Sequence, residues 1–501
     1  MAGVGGVSEL PDEMALVLDV SVRRIDEGRV LIGGSPLRLV RLTDAGSRLV
    51  DRLTAGEAVG ASPAARRLVR RLLDGGLAHP RWPGSPFTVD DVTVVIPAFD
   101  GTDGLHATLE ALAADPSGPR RVLVVDDGST DPAAIIRVTT DAGARVVRRE
   151  TNGGPGAART TGLAEVTTPL VAFIDVDVVP SPGWLGVLLA HFGDPLVAAV
   201  APRVVARSGR SPVRVVGPRV VPNGAERYEG LARFERDRSP LDLGPIEARV
   251  APRTRVAYVP TTALVARREV VHAVGGFDED LRFGEDVDLV WRLVEAGHVV
   301  RYEPSVVVTH PTRSGAGAWL RQRFDYGRSA APLARRHPGA LAPVSVSAWS
   351  AAAWGLAAAG HPGAGLAVAG AAIAQLPGRL EGLQQPWVEG LRLAGGGTWA
   401  AWRPLSAAVA RTWWPVGVGA ALLSKRVRRA LVVAVVIPPL VDWWQGDRAV
   451  DPMTYLGLRV ADDLAYGAGV WAGCWEHRTA DPLRPDLTSW PGRRRAVDST
   501  S

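Results

Sequence analysis

From about residue 91 the chain alternates short apolar runs with amphipathic stretches. VTVVIPAF, RVLVVDD, ARVVRRE and LVAFIDVD are short runs rich in valine and isoleucine, the pattern of buried strands. Between and after them, LHATLEALAA, AAIIRVTTDAG, GAARTTGLAEV and WLGVLLAHF read as helical stretches. Strand and helix in alternation predict an α/β fold, a mostly parallel sheet with helices on both faces. The strands carry few polar residues until their C-terminal ends, and ligands of open α/β sheets bind beyond those ends.

The pattern differs on either side of this stretch. Near the N-terminus, LVLDVSVRRI and RVLIGG alternate as strands do, while SRLVDRLTAGEAV and SPAARRLVRRLLDGG repeat apolar residues at three and four. Ser62-Pro63 supplies a cap and a first-turn proline, Gly75-Gly76 a stop, and LAHPRW a closing strand. This predicts a small winged-helix-like α+β module over residues 1–86, ending in a linker with Pro80, Pro83, Gly84 and Pro86. Such modules bind DNA, or bind peptides by adding a strand to an exposed edge.

Towards the C-terminus no charged residue falls between Arg336 and Arg379, and LAPVSVSAWSAAAWGLAAAG is long enough, at about 20 residues, for a membrane-spanning helix. A tight hairpin is expected at His361-Pro362-Gly363. The later runs TWWPVGVGAALLS and ALVVAVVIPPLV are too short to span unaided; Lys425, Arg426, Arg428 and Arg429 separate them, with Trp413, Trp414, Trp443 and Trp444 near their ends. Membrane interfaces select such edges. Residues 336–501 are therefore expected to form a hydrophobic helical region associated with a membrane, spanning it or lying in its interface; the alternative is a helical domain packed on the sheet.

Composition narrows the classes. A chain of 501 residues suggests about three domains, and 47% apolar with 22% charged residues excludes a mainly disordered or fibrous protein. The 57 basic and 52 acidic residues leave +5, too small an excess to indicate a nucleic-acid partner. Nearly all the positive charge is arginine, Lys425 being the one lysine. A single cysteine, Cys474, excludes intrachain disulfides and cysteine-based metal sites and fits a reducing compartment. MAGVGGVSELPDEM has neither the basic nor the apolar part of a secretory signal, so the expected location is the cytoplasmic side of the cell membrane.

Three acidic clusters stand where the chemistry is expected: Asp126-Asp127, Asp175 with Asp177, and Glu285, Asp286 and Asp288. Carboxylates directly after apolar strands are costly unless hydrogen-bonded or paired with a cation. Asp126 alone has an equally good reading as a helix cap acting through Ser129 and Asp131. In Asp175-Val176-Asp177, alternate residues of a strand point the same way, and two carboxylates so placed call for a hard divalent ion, Mg²⁺ or Mn²⁺, completed by phosphates and water. Asn152-Gly153-Gly154-Pro155-Gly156-Ala157-Ala158-Arg159 opens a helix after RVVRRE, so its amides and Arg159 have the means to meet phosphate. As a dinucleotide-binding fingerprint it fails at its third glycine, where Arg159 stands. GFDEDLRFGEDVD has the bland alternative of a solvated acidic loop, and Trp291 and Trp319, candidates for stacking on sugar rings, the alternative of core residues.

VVIPAFD (94–100), VVDDGSTD (124–131), NGGPGAARTTGL (152–163), FIDVD (173–177) and GGFDEDLRFGEDVDLVWRLVEAGH (275–298) resemble, in order and spacing, the signatures of the GT-A glycosyltransferases of family 2. The resemblance implies a GT-A, Rossmann-like domain over residues 87–335 and a metal-dependent, inverting hexosyltransferase. It implies a UDP-sugar donor, UDP-glucose in the first place, with β-1,4 transfer. Within the family the arrangement is similar to enzymes that act on a peptide-derived redox cofactor precursor and build a short oligosaccharide on it. Carried onto this chain, Pro97, Asp126 and Asp127 would hold the uridine, with Asn152 and Arg159 beside the nucleotide and Asp175 near the ribose. Asp177 would ligate the metal, and His310 stands where some members carry another ligand. Asp286 would be the general base, Glu285 would meet acceptor hydroxyls, and Arg321 and Arg323 in WLRQRFDYG would reach the pyrophosphate. That segment departs from the Q-x-x-R-W box of processive members. One rival is a glycosyltransferase of lipid-linked or cell-envelope glycans; another is a DNA-binding regulator with an inactive sheet, using the arginines of AARRLVRRLL.

Overall fold

In the computed structural model, which describes residues 10–207, 213–216, 219–222, 230–312 and 315–489, the run LVLDVSVRRI is broken in two. Strands β1 (Ala15–Leu18) and β2 (Arg23–Ile25) flank a turn in which Asp19 accepts from the Ser21 amide at 2.9 Å. β2 continues into an antiparallel sheet with β3 (Val30–Gly33) and β4 (Arg38–Arg41), the last a strand the sequence pattern does not announce. Helices α1 (Asp44–Thr54) and α2 (Pro63–Asp74) come next, and β5 (Ala78–Arg81) closes the module by pairing antiparallel with β1. α2 begins as its capping residues predict, with Pro63 in its first turn and Ser62 accepting from the Ala65 amide. Its apolar side, Val69, Leu72 and Leu73, packs on Leu31, Val40, Val50 and Leu53. Of its four arginines, Arg66 pairs with Asp12 and Arg70 lies 2.8 Å from Asp194, outside the module.

Charged contacts tie this module to the α/β domain. The Asp19 carboxylate accepts from Nη1 and Nη2 of Arg255, at 2.8 and 2.9 Å, and from His79 at 2.9 Å. Burial would raise its pKa, but Arg255, His79 and Ser21 outweigh burial and hold it far below the carboxylate range. Arg301 donates to Glu247 at 2.7 Å and to His79 at 3.1 Å.

The next elements are β6 (Val92–Ala98), α3 (Thr102–Ala114), β7 (Arg121–Asp127), α4 (Pro132–Asp141), β8 (Arg145–Arg149), α5 (Pro155–Glu165) and β9 (Leu170–Ile174). After them come β10 (Val179–Pro180), α6 (Trp184–Ala190), β11 (Val197–Arg207), β12 (Val213–Val216), β13 (Arg219–Pro222), α7 (Gly230–Arg238) and β14 (Ala248–Val250). β15 (Ala263–Arg267), α8 (Arg268–Ala273), α9 (Glu285–Glu295) and β16 (Val299–Pro311) complete the series. The sheet runs β8-β7-β6-β9-β15-β11-β16-β10, with β14 beside β16. Helices cover both faces: α3, α4 and α6 pack on Val92, Val94 and Ile96, and α5 approaches Val95 and Val125 from the other side.

The sheet is mostly parallel as expected, with β10, β14 and β15 running against the other six strands. β6, β7, β8 and β9 are parallel, and β11 is parallel to β16, but β15 runs antiparallel to both β9 and β11. The chain leaving β11 makes no net crossover, so it re-enters the sheet from the end at which it left. Strand order reverses between β6 and β9, which opens a crevice at their C-terminal ends.

Residues 313–501 form a second unit, separate from residues 1–312. It contains α10 (Ala316–Arg328), α11 (Ala330–Arg336), β17 (Ser345–Ser347), α12 (Ala348–Ala358), α13 (Pro362–Gln375), α14 (Pro386–Gly390), α15 (Gly396–Ala400), α16 (Trp402–Arg411), α17 (Trp414–Leu423), α18 (Lys425–Gln445), α19 (Pro452–Glu476) and β18 (Asp486–Thr488). α10 and α19 cross at backbone contact: a Cβ on Gly469 would stand 2.0 Å from the Phe324 carbonyl oxygen, and one on Gly327 2.0 Å from that of Tyr466. The run expected to span a membrane is divided between β17 and α12, with α12 ending after 11 residues. Among the described residues no helix is long and apolar enough to cross a membrane.

Candidate active site

The acidic pair at the end of β7 is neutralised by a basic pair at the end of β8. Parallel register sets Asp126 beside Arg148 and Asp127 beside Arg149. Arg148 donates to Asp126, and Arg149 Nε lies 2.7 Å from Asp127 Oδ1. Asp126 also accepts from the Ser129 amide at 2.9 Å, which closes the DGS turn; the cap of α4 is Asp131, which accepts from Ala134 at 3.0 Å. The Gly153 and Gly154 amides donate to Asp127 at 3.1 and 2.8 Å. Two of the amides expected to face a phosphate thus face a carboxylate, and Asp127 ties the glycine loop to the sheet. Asn152 is exposed beside this clamp, and Pro97 is half-buried at the end of β6.

Asp175 and Asp177 do not share a strand face. β9 ends at Ile174 and residues 175–178 turn, the Val178 amide donating to the Asp175 carbonyl at 3.2 Å. The two carboxylates take different partners. Asp175 accepts from Arg159 Nη2 at 2.6 Å, while Asp177 Oδ1 lies 3.3 Å from His310 Nε2. Pairing of β10 with β16, with Val179 opposite Thr309, brings His310 alongside. Asp177 and His310, far apart in the chain, thus form an oxygen and nitrogen pair that solvent still reaches.

Arg159 is the junction. It is buried in α5, and Nη1 donates to Glu285 Oε1 at 2.9 Å, so one guanidinium joins the turn after β9 to the start of α9. Phe277 packs 5.6 Å from its centre and meets Phe173 edge-on at 5.0 Å. Asp175 and Glu285 outweigh the effect of burial and raise its pKa further. Gly284, at φ +82°, starts α9 in a left-handed conformation that favours glycine. The next two side chains, Glu285 and Asp286, are delivered to the site. Burial and the neighbouring Asp286 push Glu285 up to about 7 against the pull of Arg159. Asp286 accepts from the Val287 amide at 2.8 Å and is also raised, by burial first and by Asp175.

Asp288 turns away from the site: it pairs with Arg292 at 2.7 Å, which also binds the Val274 and Gly276 carbonyls and so holds the loop before α9. Trp291 is core, its indole donating to the Ala257 carbonyl at 2.8 Å, and Trp319 is buried in the second unit. Within that unit Arg323 is buried with Nε 2.8 Å from Asp462, and Arg321 lines an open apolar groove with Leu320, Phe324, Trp414 and Leu464. In the first unit His191, Glu247 and Glu303 bring ligand atoms within 4.8 Å of one another. However, His191 Nδ1 accepts from the Trp82 indole at 3.2 Å, so its Nε2 carries the proton and faces Glu303 at 3.0 Å, leaving no lone pair for an ion. The reading of individual motifs overlooks Arg148, Arg149 and Phe277. Aligning RVLVVDD with RVVRRE as parallel neighbours would have revealed the two arginines.

Residues 93–251 match the family model described as Glycosyl transferase family 2. The chain is 41% identical over 496 residues, 96% of its own length and 99% of the relative's, to the pre-mycofactocin glycosyltransferase of Mycobacterium tuberculosis strains CDC 1551 and H37Rv. It is 28% identical over 252 residues to glycosyltransferase AglE of Haloferax volcanii, covering 48% of this chain and 73% of that one. Among solved structures it is similar to the mannosyltransferase PcManGT from Pyrobaculum calidifontis, at 18% identity, a TM-score of 0.38, and coverage of 73% of this chain and 91% of that one. That superposition is loose, so the order of the strands carries the fold.

Proposed function

The chain belongs to glycosyl transferase family 2, and from that premise we propose that it glycosylates the mycofactocin precursor. The proposed donor is UDP-glucose, and the product a short β-1,4-linked oligosaccharide on this peptide-derived acceptor. The observation that carries the reading is the end-to-end likeness to the mycobacterial enzyme, which extends through the N-terminal module and the helical unit. A site in which Arg159 gathers Asp175 and Glu285 beside Asp286 suits the chemistry.

A sugar hydroxyl is a weak nucleophile near neutral pH. In the proposed step Asp286 accepts the hydroxyl proton as the oxygen bonds to the anomeric carbon and the bond to the diphosphate breaks, releasing UDP. Attack opposite the leaving group inverts the centre, so an α-linked donor gives a β-glycoside. Arg159 keeps Glu285 and Asp175 in place, and Glu285 is positioned for acceptor hydroxyls. Asp177 and His310 have the ligand chemistry for Mn²⁺ or Mg²⁺, with the remaining positions left for phosphate and water. Such an ion supplies neutralisation of the charge developing on the departing diphosphate. The test is UDP release from UDP-glucose in the presence of Mn²⁺ and the precursor. Asp286→Asn should lower turnover at least about a hundredfold with donor binding retained, and Asp177→Ala should weaken metal and donor binding together. Wild-type turnover in Asp286→Asn would overturn the base assignment.

A further inference from the structure

Among the described residues the helical unit leaves many large apolar side chains exposed, and three of the most exposed belong to two neighbouring hairpins. α12 and α13 form one hairpin and α17 and α18 another, and their tips meet: Arg426 donates to the Ala359 carbonyl at 3.4 Å. Around the joined tips Leu422 is 79%, Leu423 91% and Leu366 75% exposed. α13, 14 residues without a charged side chain, has Gly365 as its one buried residue. A helix this apolar gains little by facing water, because tertiary burial of an apolar face is what normally stabilises it. Along α18, Val433, Ile437 and Trp444 recur at spacings of four and seven, continuing one exposed side.

Charge selects what covers this face. α12, α13 and α17 carry no charged residue, whereas α18 opens with Lys425, Arg426, Arg428 and Arg429 and has its acidic residue, Asp442, near the far end. A second copy packed tip against tip about a two-fold axis would bring four positive charges close to the same four. Acyl chains accept the leucines, and phosphate headgroups accept basic side chains that extend from the same tips. We propose that the joined tips of the α12–α13 and α17–α18 hairpins form a docking face for an anionic phospholipid bilayer, lying in its interface without crossing it.

The test uses the full chain and two kinds of vesicle, phosphatidylcholine alone and phosphatidylcholine with phosphatidylglycerol, without donor or acceptor. Its outcome is therefore independent of the proposed glycosyl transfer. The protein should co-sediment with the phosphatidylglycerol vesicles and much less with phosphatidylcholine, and added salt should release part of it. Leu422→Asp/Leu423→Asp should weaken binding at least about tenfold, with the melting temperature and UDP release to a soluble acceptor unchanged. Lys425→Glu/Arg428→Glu/Arg429→Glu, which places acidic residues at a helix start where they are tolerated, should remove the preference for phosphatidylglycerol. Failure of the wild-type protein to co-sediment with either vesicle overturns the proposal. So does binding that survives both variants, or a concentration-dependent dimer that the leucine variant abolishes in place of vesicle binding.

Discussion

With its guanidinium shared between Asp175 and Glu285, Arg159 holds together carboxylates that would otherwise repel one another in a buried place. Removing it as Arg159→Met should cost about 3–5 kcal/mol, the usual penalty for stranding buried charge. The loss should be smaller at pH 5 than at pH 8, because the stranded carboxylates can take up protons at the lower pH; melting curves at the two values measure it. Glu285 carries the opposite sign from Asp19. Its pKa is raised to about 7 in the folded chain, so between its ordinary value and 7 the folded state binds more protons than the unfolded one, and this group's contribution to stability falls as pH rises. If Asp286 acts as base beside it, kcat/KM should climb through a limb displaced above the ordinary carboxylate range, and Glu285→Gln should move that limb to lower pH. An unmoved limb would separate the two residues. At this scale the acidic clusters were legible in the sequence, but their partners were not. Asp175 and Asp177 diverge because β9 stops one residue before them, a boundary that the apolar pattern of LVAFIDVD does not mark.

At the scale of elements, periodicity found most of the helices and strands of residues 10–200, because their apolar positions are buried in one of two cores, that of the N-terminal module or that of the sheet. It overlooked β4, which is short and half charged, and it joined β1 to β2 across a turn held by Asp19. In the helical unit, apolar composition suggested one long helix where the chain makes a short strand and an 11-residue helix. Runs of alanine signal neither length nor burial strongly. The α10–α19 crossing depends on absent side chains: Gly469→Leu should destabilise the protein by about 3 kcal/mol through overpacking against the Phe324 carbonyl. Gly457→Leu, on the same helix with open space around it, should leave the melting temperature near that of wild type.

For the whole molecule, the net charge of +5 describes no single surface. Of the arginines that made α2 resemble a DNA-recognition helix, Arg66 and Arg70 are engaged with Asp12 and Asp194. The full chain is therefore expected to show no salt-dependent shift of duplex DNA in an electrophoretic assay, and a shift at low salt that disappears at high salt would contradict this. The family and the main α/β alternation could be read from the order of five short motifs, because four of them place polar residues at or just beyond a strand end and the fifth opens α9. What only the tertiary structure decided lies between segments distant in the chain. It reverses β15 in the sheet, seats Arg159 between the turn after β9 and the start of α9, and sets Asp177 beside His310. It also brings Arg426 to Ala359, which turns two ordinary apolar hairpins into one face. Local periodicity records which side of an element is apolar; the direction of a strand and the partner of a charge depend on where the chain returns, and that is settled by packing.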